Sequence, residues 1–246
     1  MAAAIAWRVG ALTGAGAIAA SLVGTAILVG TGWSGGAALA AFFVSSTVVG
    51  RLWPPRSRLD PKGERRDAWQ VVANGGPAAL GALLGLAAPG LGLWLVTGSL
   101  AAAAADTWAT SLGGVSRASP RRLLLGEPVD AGASGGMTAI GSLAAAGGAG
   151  LVAGTAVAAG ADRVLLPLGI GIGFAGMLAD SVLGAFWQGR FRCPACDLVS
   201  EWPVHRCGTR TTREGGLEWL TNDGVNLAAT AFAAGLAAAA WLLWSG

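Results

Sequence analysis

Residues 91–114 read LGLWLVTGSLAAAAADTWATSLGG, an apolar run in which the only charged side chain is Asp106. About 20 predominantly apolar residues are enough to cross the hydrocarbon core of a bilayer as a helix. A carboxylate placed in hydrocarbon costs roughly 2.5–3.5 kcal/mol on insertion scales, so intramembrane aspartates are rare and tend to be functional. The stretch therefore predicts a transmembrane helix that carries a polar position near one end.

The whole chain has the composition of a membrane protein. Of its 246 residues, 54% are hydrophobic and only 12% are charged, whereas a soluble domain carries about 25% charged residues. The many small residues, including 41 glycines, suit closely approaching transmembrane helices. Seven apolar segments are long enough to span the bilayer: Val9–Gly30, Gly35–Leu52, Ala68–Ala88, Leu91–Ser111, Met137–Gly160, Val164–Trp187 and Leu217–Trp244. We predict an all-α polytopic transmembrane bundle of about seven helices, with residues 1–246 as a single integral membrane domain.

Basic residues set the predicted orientation of this bundle in the cell membrane. Of the 16 Lys and Arg residues, all except Arg163 fall on one side of the seven segments. The positive-inside rule makes that side cytoplasmic, with the N-terminus inside and the C-terminus outside. The first segment is interpreted as a retained helix rather than a signal peptide, because no clean cleavage site closes it. The basic rim can attract anionic lipid or nucleotide, and nucleic-acid binding is not needed to explain it.

Polar side chains inside the apolar segments are predicted to share one depth. At 1.5 Å rise per residue, positions about five to seven residues from the cytoplasmic ends of their segments lie roughly 8–10 Å below the surface. A shared depth favours one site over independent packing hydrogen bonds, which are the alternative role of each aspartate. In the last segment, the 3.6-residue period puts residues 222, 223 and 226 on one stripe. The candidate residues are Asn74, Asp106, Asp180, Asn222, Asp223 and Asn226.

A glycine-rich stretch, GASGG at Gly132–Gly136, precedes the fifth apolar segment. Glycine lets a backbone approach a ligand closely, and a helix N-terminus offers free N–H groups to phosphate. Small residues at this place also serve helix packing, which is the alternative. Two arginines of the preceding loop have the geometry to bind phosphate in a bidentate manner, although arginines here also set topology. The predicted phosphate contacts are Gly132, Ser134, Gly135, Gly136, Thr138, Arg121 and Arg122.

The combination of carboxylates and amide oxygens indicates Mg²⁺, which binds one or two protein carboxylates together with substrate phosphates. Phosphoryl transfer requires mainly positioning and charge neutralisation from the protein. Asp106, Asp180 and Asp223 are therefore the candidate catalytic residues and Mg²⁺ ligands. A shallow cytoplasmic site suits a substrate whose tail stays in the lipid while its head meets a water-soluble nucleotide. The chain has no Walker A motif, since its only lysine, Lys62, lies in DPKGE.

One cytoplasmic loop, at about residues 190–214, contains all three cysteines and the only histidine. Their spacing, C-x2-C-x8-H-x-C, is typical of a structural zinc site. The reducing cytoplasm disfavours disulfides, and free thiols are the alternative. Four protein ligands would complete a tetrahedron, so the predicted zinc stabilises the loop rather than doing chemistry. The predicted ligands are Cys193, Cys196, His205 and Cys207.

Five stretches carry a family resemblance: RDAWQVVANG (66–75), ADTWATSLGG (105–114), GASGGMT (132–138), DSVLGAFWQ (180–188) and WLTNDGVN (219–226). Together with the Cys–His loop, they resemble the phytyl phosphate kinase and transmembrane protein 19 family (domain of unknown function 92). The resemblance runs from about residue 60 to the end. It departs at Ala133-Ser134, where the family has Thr followed by an acidic or amide residue.

The resemblance implies a Mg²⁺-dependent, lipid-linked kinase that converts an isoprenyl monophosphate to its diphosphate with a nucleoside triphosphate. The isoprenoid would be of phytyl, geranylgeranyl or farnesyl type, and the active site would face the cytoplasm. The chain is also similar, more distantly, to membrane cytidylyltransferases and dolichol kinases that use CTP. A CTP-dependent lipid cytidylyltransferase and a non-enzymatic transporter are therefore the alternatives. The expected partners are membrane lipids, the lipid phosphate and the nucleotide, with a homo-oligomer left open.

Overall fold

The computed structural model describes residues 1–54, 65–88, 90–129, 135–200, 202–205 and 207–245. Within these ranges the chain forms seven helices: α1 Ala2–Arg8, α2 Gly14–Leu52, α3 Ala68–Leu84, α4 Leu91–Gly113, α5 Ala139–Ala158, α6 Leu165–Phe186 and α7 Asn222–Ser245. Five short strands lie between them: β1 Arg121–Arg122, β2 Gly136–Met137, β3 Arg190–Cys193, β4 Leu198–Ser200 and β5 Thr212–Gly215. The predicted helical bundle is confirmed, while the strands add two small sheets to a chain predicted to be all-α.

Four of the described helices, α2, α5, α6 and α7, are long and apolar enough to cross a membrane. A multi-pass membrane protein is therefore supported, as the composition predicted. α4 has 23 residues, but it falls outside this group. Every residue from 94 to 105 in α4 is buried. Its surface meets other helices rather than lipid, so it tolerates small and polar residues that a lipid-facing helix would not.

α2 contains the first two predicted segments, apart from residues 9–13 of the first, and they are joined at a sharp break. Gly32 there has φ 60° and ψ −148°, a backbone conformation that glycine adopts without steric cost. A Cβ at Gly24 would lie 3.6 Å from Leu39 Cδ2, although fifteen residues of straight helix would separate them by about 22 Å. The Arg51 guanidinium also donates to the Val9 carbonyl at 2.8 Å. The two halves of α2 are therefore antiparallel, and the predicted division between two segments is confirmed.

Contacts between loops define two ends of the bundle. At one end, the Arg66 N–H donates to the Ala11 carbonyl at 3.1 Å. At the other end, the Ser34 hydroxyl donates to the Ala159 carbonyl at 2.6 Å. Because successive long helices alternate in direction, the described residues between α2 and α3, between α4 and α5, and between α6 and α7 share the first end. This basic end is the one that the positive-inside rule predicts to be cytoplasmic.

Exposed tryptophans mark both ends of the bundle. Tryptophan is enriched where a membrane protein passes through the headgroup regions of the bilayer. Seven tryptophans are at least 41% exposed. Those at the basic end are Trp7, Trp53, Trp69, Trp187 and Trp219, and those at the opposite end are Trp33 and Trp244. The two belts indicate where the bilayer surfaces lie.

The two small sheets lie in the loops of the basic end. β1 pairs with β2 in antiparallel fashion, with Arg122 opposite Gly136. The second sheet has the antiparallel order β4-β3-β5. β3 begins four residues after α6 ends, and an additional bridge joins Gln188 to Leu217 beyond β5. The ladder between β3 and β5 therefore connects the end of α6 to the segment that leads into α7.

Candidate functional site

The three helices that carry the candidate aspartates meet through small residues. A Cβ at Gly176 of α6 would lie 2.4 Å from Ala102 Cβ of α4 and 3.1 Å from Ala233 Cβ of α7. One turn earlier on both α4 and α6, a Cβ at Gly98 would lie 3.2 Å from Ile172 Cγ2. α4 and α6 therefore run in the same direction, with their backbones in close contact.

Asp106 and Asp180 lie one turn beyond this contact. Asp106 follows Ala102 by four residues, and Asp180 follows Gly176 by four residues. Residues four apart occupy the same face of a helix. The two half-buried aspartates therefore lie at one level on facing sides of α4 and α6, as their predicted common depth required.

α7 runs in the opposite direction and brings Asn226 toward the same region. A Cβ at Gly98 would lie 2.8 Å from Ala237 Cβ, whereas Gly176 faces Ala233. Moving toward the basic end therefore means moving to lower residue numbers on α7. The position level with the two aspartates is four residues before Ala233, and Asn226 lies about one turn beyond it.

The start of α7 differs from the prediction. The helix was expected to begin at Leu217 but begins at Asn222, because the chain up to Leu217 continues the pairing with the segment after α6. Asn222 and Asp223 thus occupy the first turn, rather than positions five or six residues inside. By the spacing along α7, Asp223 lies about 9 Å nearer the loops than Asp106 and Asp180. The prediction that Asp223 shares their depth is wrong, and Asn226 lies closer to it.

Asn74 lies on the face of α3 that packs against α4. A Cβ at Gly81 would lie 2.5 Å from Leu95 Cβ, and α3 runs antiparallel to α4. Asn74 precedes Gly81 by seven residues, or two turns on the same face. It is therefore roughly level with Ala102, about one turn from Asp106. The Asn74 amide nitrogen donates to the Gln70 carbonyl at 2.8 Å, which fixes the side chain along its own helix.

The start of α3 is held by a capping box. The Asp67 carboxylate accepts from the Gln70 N–H at 2.9 Å, and the Gln70 side chain accepts from the Asp67 N–H at 3.0 Å. This reciprocal pair satisfies two backbone donors that a helix start leaves unpaired. Arg66, just before it, stacks its guanidinium over the rings of Phe42 and Phe43, 5.5 and 5.7 Å from their centroids. Burial lowers the pKa of Arg66 to about 10.

A proline in α3 leaves a backbone carbonyl free, and a side chain of α7 bonds to it beside Asn74. Pro77 lies inside α3 and has no N–H to donate to the Ala73 carbonyl. The buried Thr230 hydroxyl of α7 lies 2.8 Å from that carbonyl oxygen and 2.8 Å from the Asn226 carbonyl oxygen of its own helix, so the two carbonyls share its single proton. Thr230 follows Asn226 by one turn, so this bond holds the two asparagines near each other. In the sequence, a proline within an apolar helix signals a carbonyl that needs another donor, but it does not identify that donor.

Thr230→Val is expected to destabilise the protein by about 1 kcal/mol, because the Ala73 carbonyl then lacks a donor in a buried site. Thermal unfolding in detergent measures the loss. The same change in a Pro77→Ala background should cost less, because alanine restores the backbone N–H. Equal costs in the two backgrounds would show that the Thr230 hydroxyl does not serve the carbonyl freed by Pro77.

The described end of the glycine-rich stretch consists of Gly135, which packs on α6, and Gly136, which lies in β2. Gly132 and Ser134 lie outside the described residues. Gly135 has φ +78°, and a Cβ there would lie 2.5 Å from Ala185 Cβ and 2.6 Å from the Ser181 carbonyl oxygen. The loop backbone therefore contacts α6 within one turn of Asp180. Gly136 and Met137 form β2, so α5 begins at Ala139 rather than at Met137, where the fifth segment was predicted to begin.

Thr138 is the N-cap of α5. Its hydroxyl accepts a hydrogen bond from the Gly141 N–H at 3.0 Å. Such caps stabilise a helix by about 1 kcal/mol. This local role accounts for the hydroxyl without a phosphate, so a substrate contact for Thr138 stays a prediction.

The two candidate arginines form β1 and bond to their own hairpin. The Arg121 guanidinium donates to the Gly126 carbonyl at 2.7 Å, and the Arg122 guanidinium lies 3.8 Å from the Glu127 carboxylate. Within the described part of the chain, Arg122 Nε is buried without a hydrogen-bond partner. Arg122 is therefore the better placed of the two to bind a phosphate.

The predicted Cys–His residues come together at the edge of the larger sheet, where Cys193 ends β3 and the other three lie in turns. The ligand atoms of Cys193, Cys196, His205 and Cys207 all lie within 4.8 Å of one another. Cys193 Sγ is 3.6 Å from Cys207 Sγ, and His205 Nδ1 is 3.1 Å from Cys207 Sγ. Zn–S bonds of about 2.3 Å give a sulfur–sulfur separation of about 3.8 Å in a tetrahedron. The cluster could hold a metal ion, and its donors and spacing are consistent with zinc.

Two tight turns present these ligands. The Asp197 N–H donates to the Cys193 carbonyl at 2.9 Å, and the Gly208 N–H donates to the His205 carbonyl at 2.8 Å. Hydrogen bonds with Thr209 and then with His205 lower the pKa of Cys207 to about 5. A lowered pKa favours the thiolate, which is the form that binds a metal.

Comparison with known proteins places the chain in a family. The family model described as integral membrane protein DUF92 matches residues 1–234. The chain belongs to the DUF92 family of integral membrane proteins. One relative, an uncharacterized membrane protein of Methanocaldococcus jannaschii, is 31% identical over 174 residues, covering 70% of this chain and 73% of its own length. Protein PGR of Arabidopsis thaliana is 30% identical over 245 residues, with 86% and 82% covered. No solved structure matches the chain.

Proposed function

We propose that this DUF92 protein is a membrane prenyl-phosphate kinase. It would transfer a phosphoryl group from a nucleoside triphosphate to an isoprenyl monophosphate and so produce the diphosphate. The observation that carries the proposal is the common level of Asp106 and Asp180 on facing sides of α4 and α6. Two carboxylates at one level, with Asn74 and Asn226 within about a turn, are donors that Mg²⁺ accepts beside substrate phosphates.

The aspartates lie at two depths, and two depths suit a reaction between two substrates that both carry phosphate. Asp106 and Asp180 lie deeper in the bundle, where the phosphate of a lipid held in the bilayer would arrive. Asp223, about 9 Å nearer the loops, lies at the start of α7 with Asn222. A nucleotide polyphosphate entering from the basic end would pass Asp223 and Arg122 first. Asp106 and Asp180 thus serve the reacting phosphates through Mg²⁺, and Asp223 serves the remainder of the nucleotide.

The reaction needs no covalent intermediate on the protein. An oxygen of the lipid monophosphate attacks the terminal phosphorus of the nucleotide, and the bridging oxygen leaves with the nucleoside diphosphate. Mg²⁺ held by the carboxylates would neutralise the charge on the phosphates. The protein aligns the attacking and leaving oxygens by the fixed spacing of α4 and α6.

The test is an assay of the purified protein in nanodiscs with phytyl, geranylgeranyl and farnesyl monophosphates and each nucleoside triphosphate. Mass spectrometry of the lipid product and quantification of the released nucleotide distinguish the candidate reactions. A lipid diphosphate with nucleoside diphosphate release is expected. A CDP-lipid with pyrophosphate release would instead establish the cytidylyltransferase. Substrate movement across the bilayer with neither product would establish a transporter.

We also propose that the Cys–His cluster binds a structural zinc ion. Protein purified without chelator should contain about one zinc per chain, because four protein ligands complete a tetrahedron. Cys196→Ser should lose the metal and increase protease cleavage within residues 190–214. Ser200→Ala, in the same sheet but outside the cluster, is the matched control that should keep the metal. Metal-free wild-type protein with an equally protected loop would contradict the proposal.

A further inference from the structure

The tight turn that follows β1 exposes two leucine side chains, Leu124 and Leu125, on the protein surface. It is tight, since the Arg122 N–H donates to the Glu127 carbonyl at 2.8 Å and the Gly126 N–H to the Arg122 carbonyl at 2.9 Å. Leu124 has φ 71°, a conformation that is uncommon for a bulky residue. Leu124 is 75% exposed and Leu125 is 51% exposed. The chain therefore accepts backbone strain at a position where the side chain gains no burial within the protein.

This turn lies where α6 leaves the bundle. The Leu123 N–H donates to the Gly135 carbonyl at 3.3 Å, and Gly135 packs against α6 at Ala185. The next residues of the chain, Phe186 and Trp187, are exposed, and Trp187 belongs to the tryptophan belt of the basic end. The level of the turn is thus the level of the bilayer surface.

The charges around the turn match an anionic lipid surface. Arg121 in β1, at the base of the turn, and Arg117, four residues earlier in the chain, are both exposed, and Glu127 is the one described carboxylate within the turn. Val115, two residues before Arg117, adds a further exposed apolar side chain. Apolar residues flanked by arginines are the composition that binds the headgroup region of a membrane.

We propose that the turn at residues 122–127 is a membrane-surface anchor. Leu124 and Leu125 insert at the boundary of headgroups and acyl chains in the leaflet at the basic end, while Arg117 and Arg121 contact anionic headgroups. The anchor holds the β1–β2 hairpin against the bilayer and so keeps Gly135 seated on α6. Such an anchor does not require the kinase reaction proposed above.

Photo-crosslinking in nanodiscs that contain phosphatidylglycerol and phosphatidylcholine tests the anchor without using the native cysteines. Leu124→p-benzoylphenylalanine is compared with Glu127→p-benzoylphenylalanine, a matched position at the exposed base of the same turn. Both are exposed sites, and size-exclusion chromatography confirms that the variants fold. After irradiation, mass spectrometry measures lipid adducts on the peptide that contains residues 121–129.

At position 124, the yield of lipid adduct should exceed that at position 127 several-fold. It should also fall when phosphatidylcholine replaces all of the anionic lipid. Equal yields at the two positions would overturn the proposal. So would adducts at position 124 that join a second copy of the chain instead of lipid, because the leucines would then form a contact between protein subunits.

Discussion

Asp106→Asn and Asp180→Asn should fold normally and lose turnover by on the order of a hundredfold or more, the loss expected when one preorganised charge-stabilising group is removed. Asparagine keeps the shape of the side chain and removes its charge. The cost of holding a carboxylate within the membrane region is thereby relieved. The melting temperature should be unchanged or slightly higher. Mg²⁺-dependent turnover and thermal unfolding are measured on the same preparations.

Asp162→Asn is the matched control, because Asp162 lies at the opposite end, where its carboxylate accepts from Trp244 Nε1 at 3.2 Å. It should keep full turnover. Asp223→Asn should chiefly raise the KM for the nucleotide, since Asp223 lies at the start of α7 and nearer the loops. A well-folded Asp106→Asn protein with near-normal turnover would defeat the proposed site. If the aspartates were structural, the variants would instead melt earlier and lose activity only with the folded fraction.

Gly176→Val is expected to abolish turnover and to lower the melting temperature strongly. Even the first carbon of a side chain would lie 2.4 Å from Ala102 Cβ and 3.1 Å from Ala233 Cβ. Overpacking of this kind costs about 1–3 kcal/mol or more. It would also separate α4 from α6 one turn from Asp106 and Asp180. Thermal unfolding and turnover are measured together, because stability and geometry should both change.

Gly171→Ala on the same helix provides the matched control. A Cβ at Gly171 would meet nothing within 4 Å, so alanine there should be neutral or stabilising through its helix propensity. Ala102→Gly should partly rescue Gly176→Ala by removing the methyl group that it strikes. If Gly176→Ala behaved like Gly171→Ala, the contact between α4 and α6 would not be as close as described.

The helical bundle follows from the sequence because long apolar runs have few alternatives in a bilayer. The same reasoning failed at the start of α7, where the residues before Asn222 are apolar enough to continue the helix. They pair instead with the chain after α6, as the Gln188–Leu217 bridge shows. A pairing between residues about thirty positions apart leaves no periodic signal in either segment. The depth predicted for Asp223 was wrong for this reason.

The predicted sites differ in how local their signals are. The Cys–His cluster was predicted because its ligands lie within fifteen consecutive residues, whose spacing itself reflects the metal geometry. The bond from Thr230 to the Ala73 carbonyl joins distant parts of the chain, so spacing alone does not reveal it. Asp106 and Asp180 fall between these cases. Each is conspicuous in its own segment, but their common level depends on the contact between Ala102 and Gly176.

The enclosure of α4 has a consequence for how the protein is made. α4 packs against α2 and α3, which are synthesised before it, and against α5, α6 and α7, which follow. When α4 enters the membrane, three of these five neighbours do not yet exist, and the side of the helix that carries Asp106 meets lipid or the insertion machinery. Its surroundings are complete only when the last helix arrives. In a chain that ends before Asn222, the face of α4 that normally contacts α7 would stay exposed. We therefore expect such a chain to be degraded because α4 is exposed, rather than because of its truncated C-terminus.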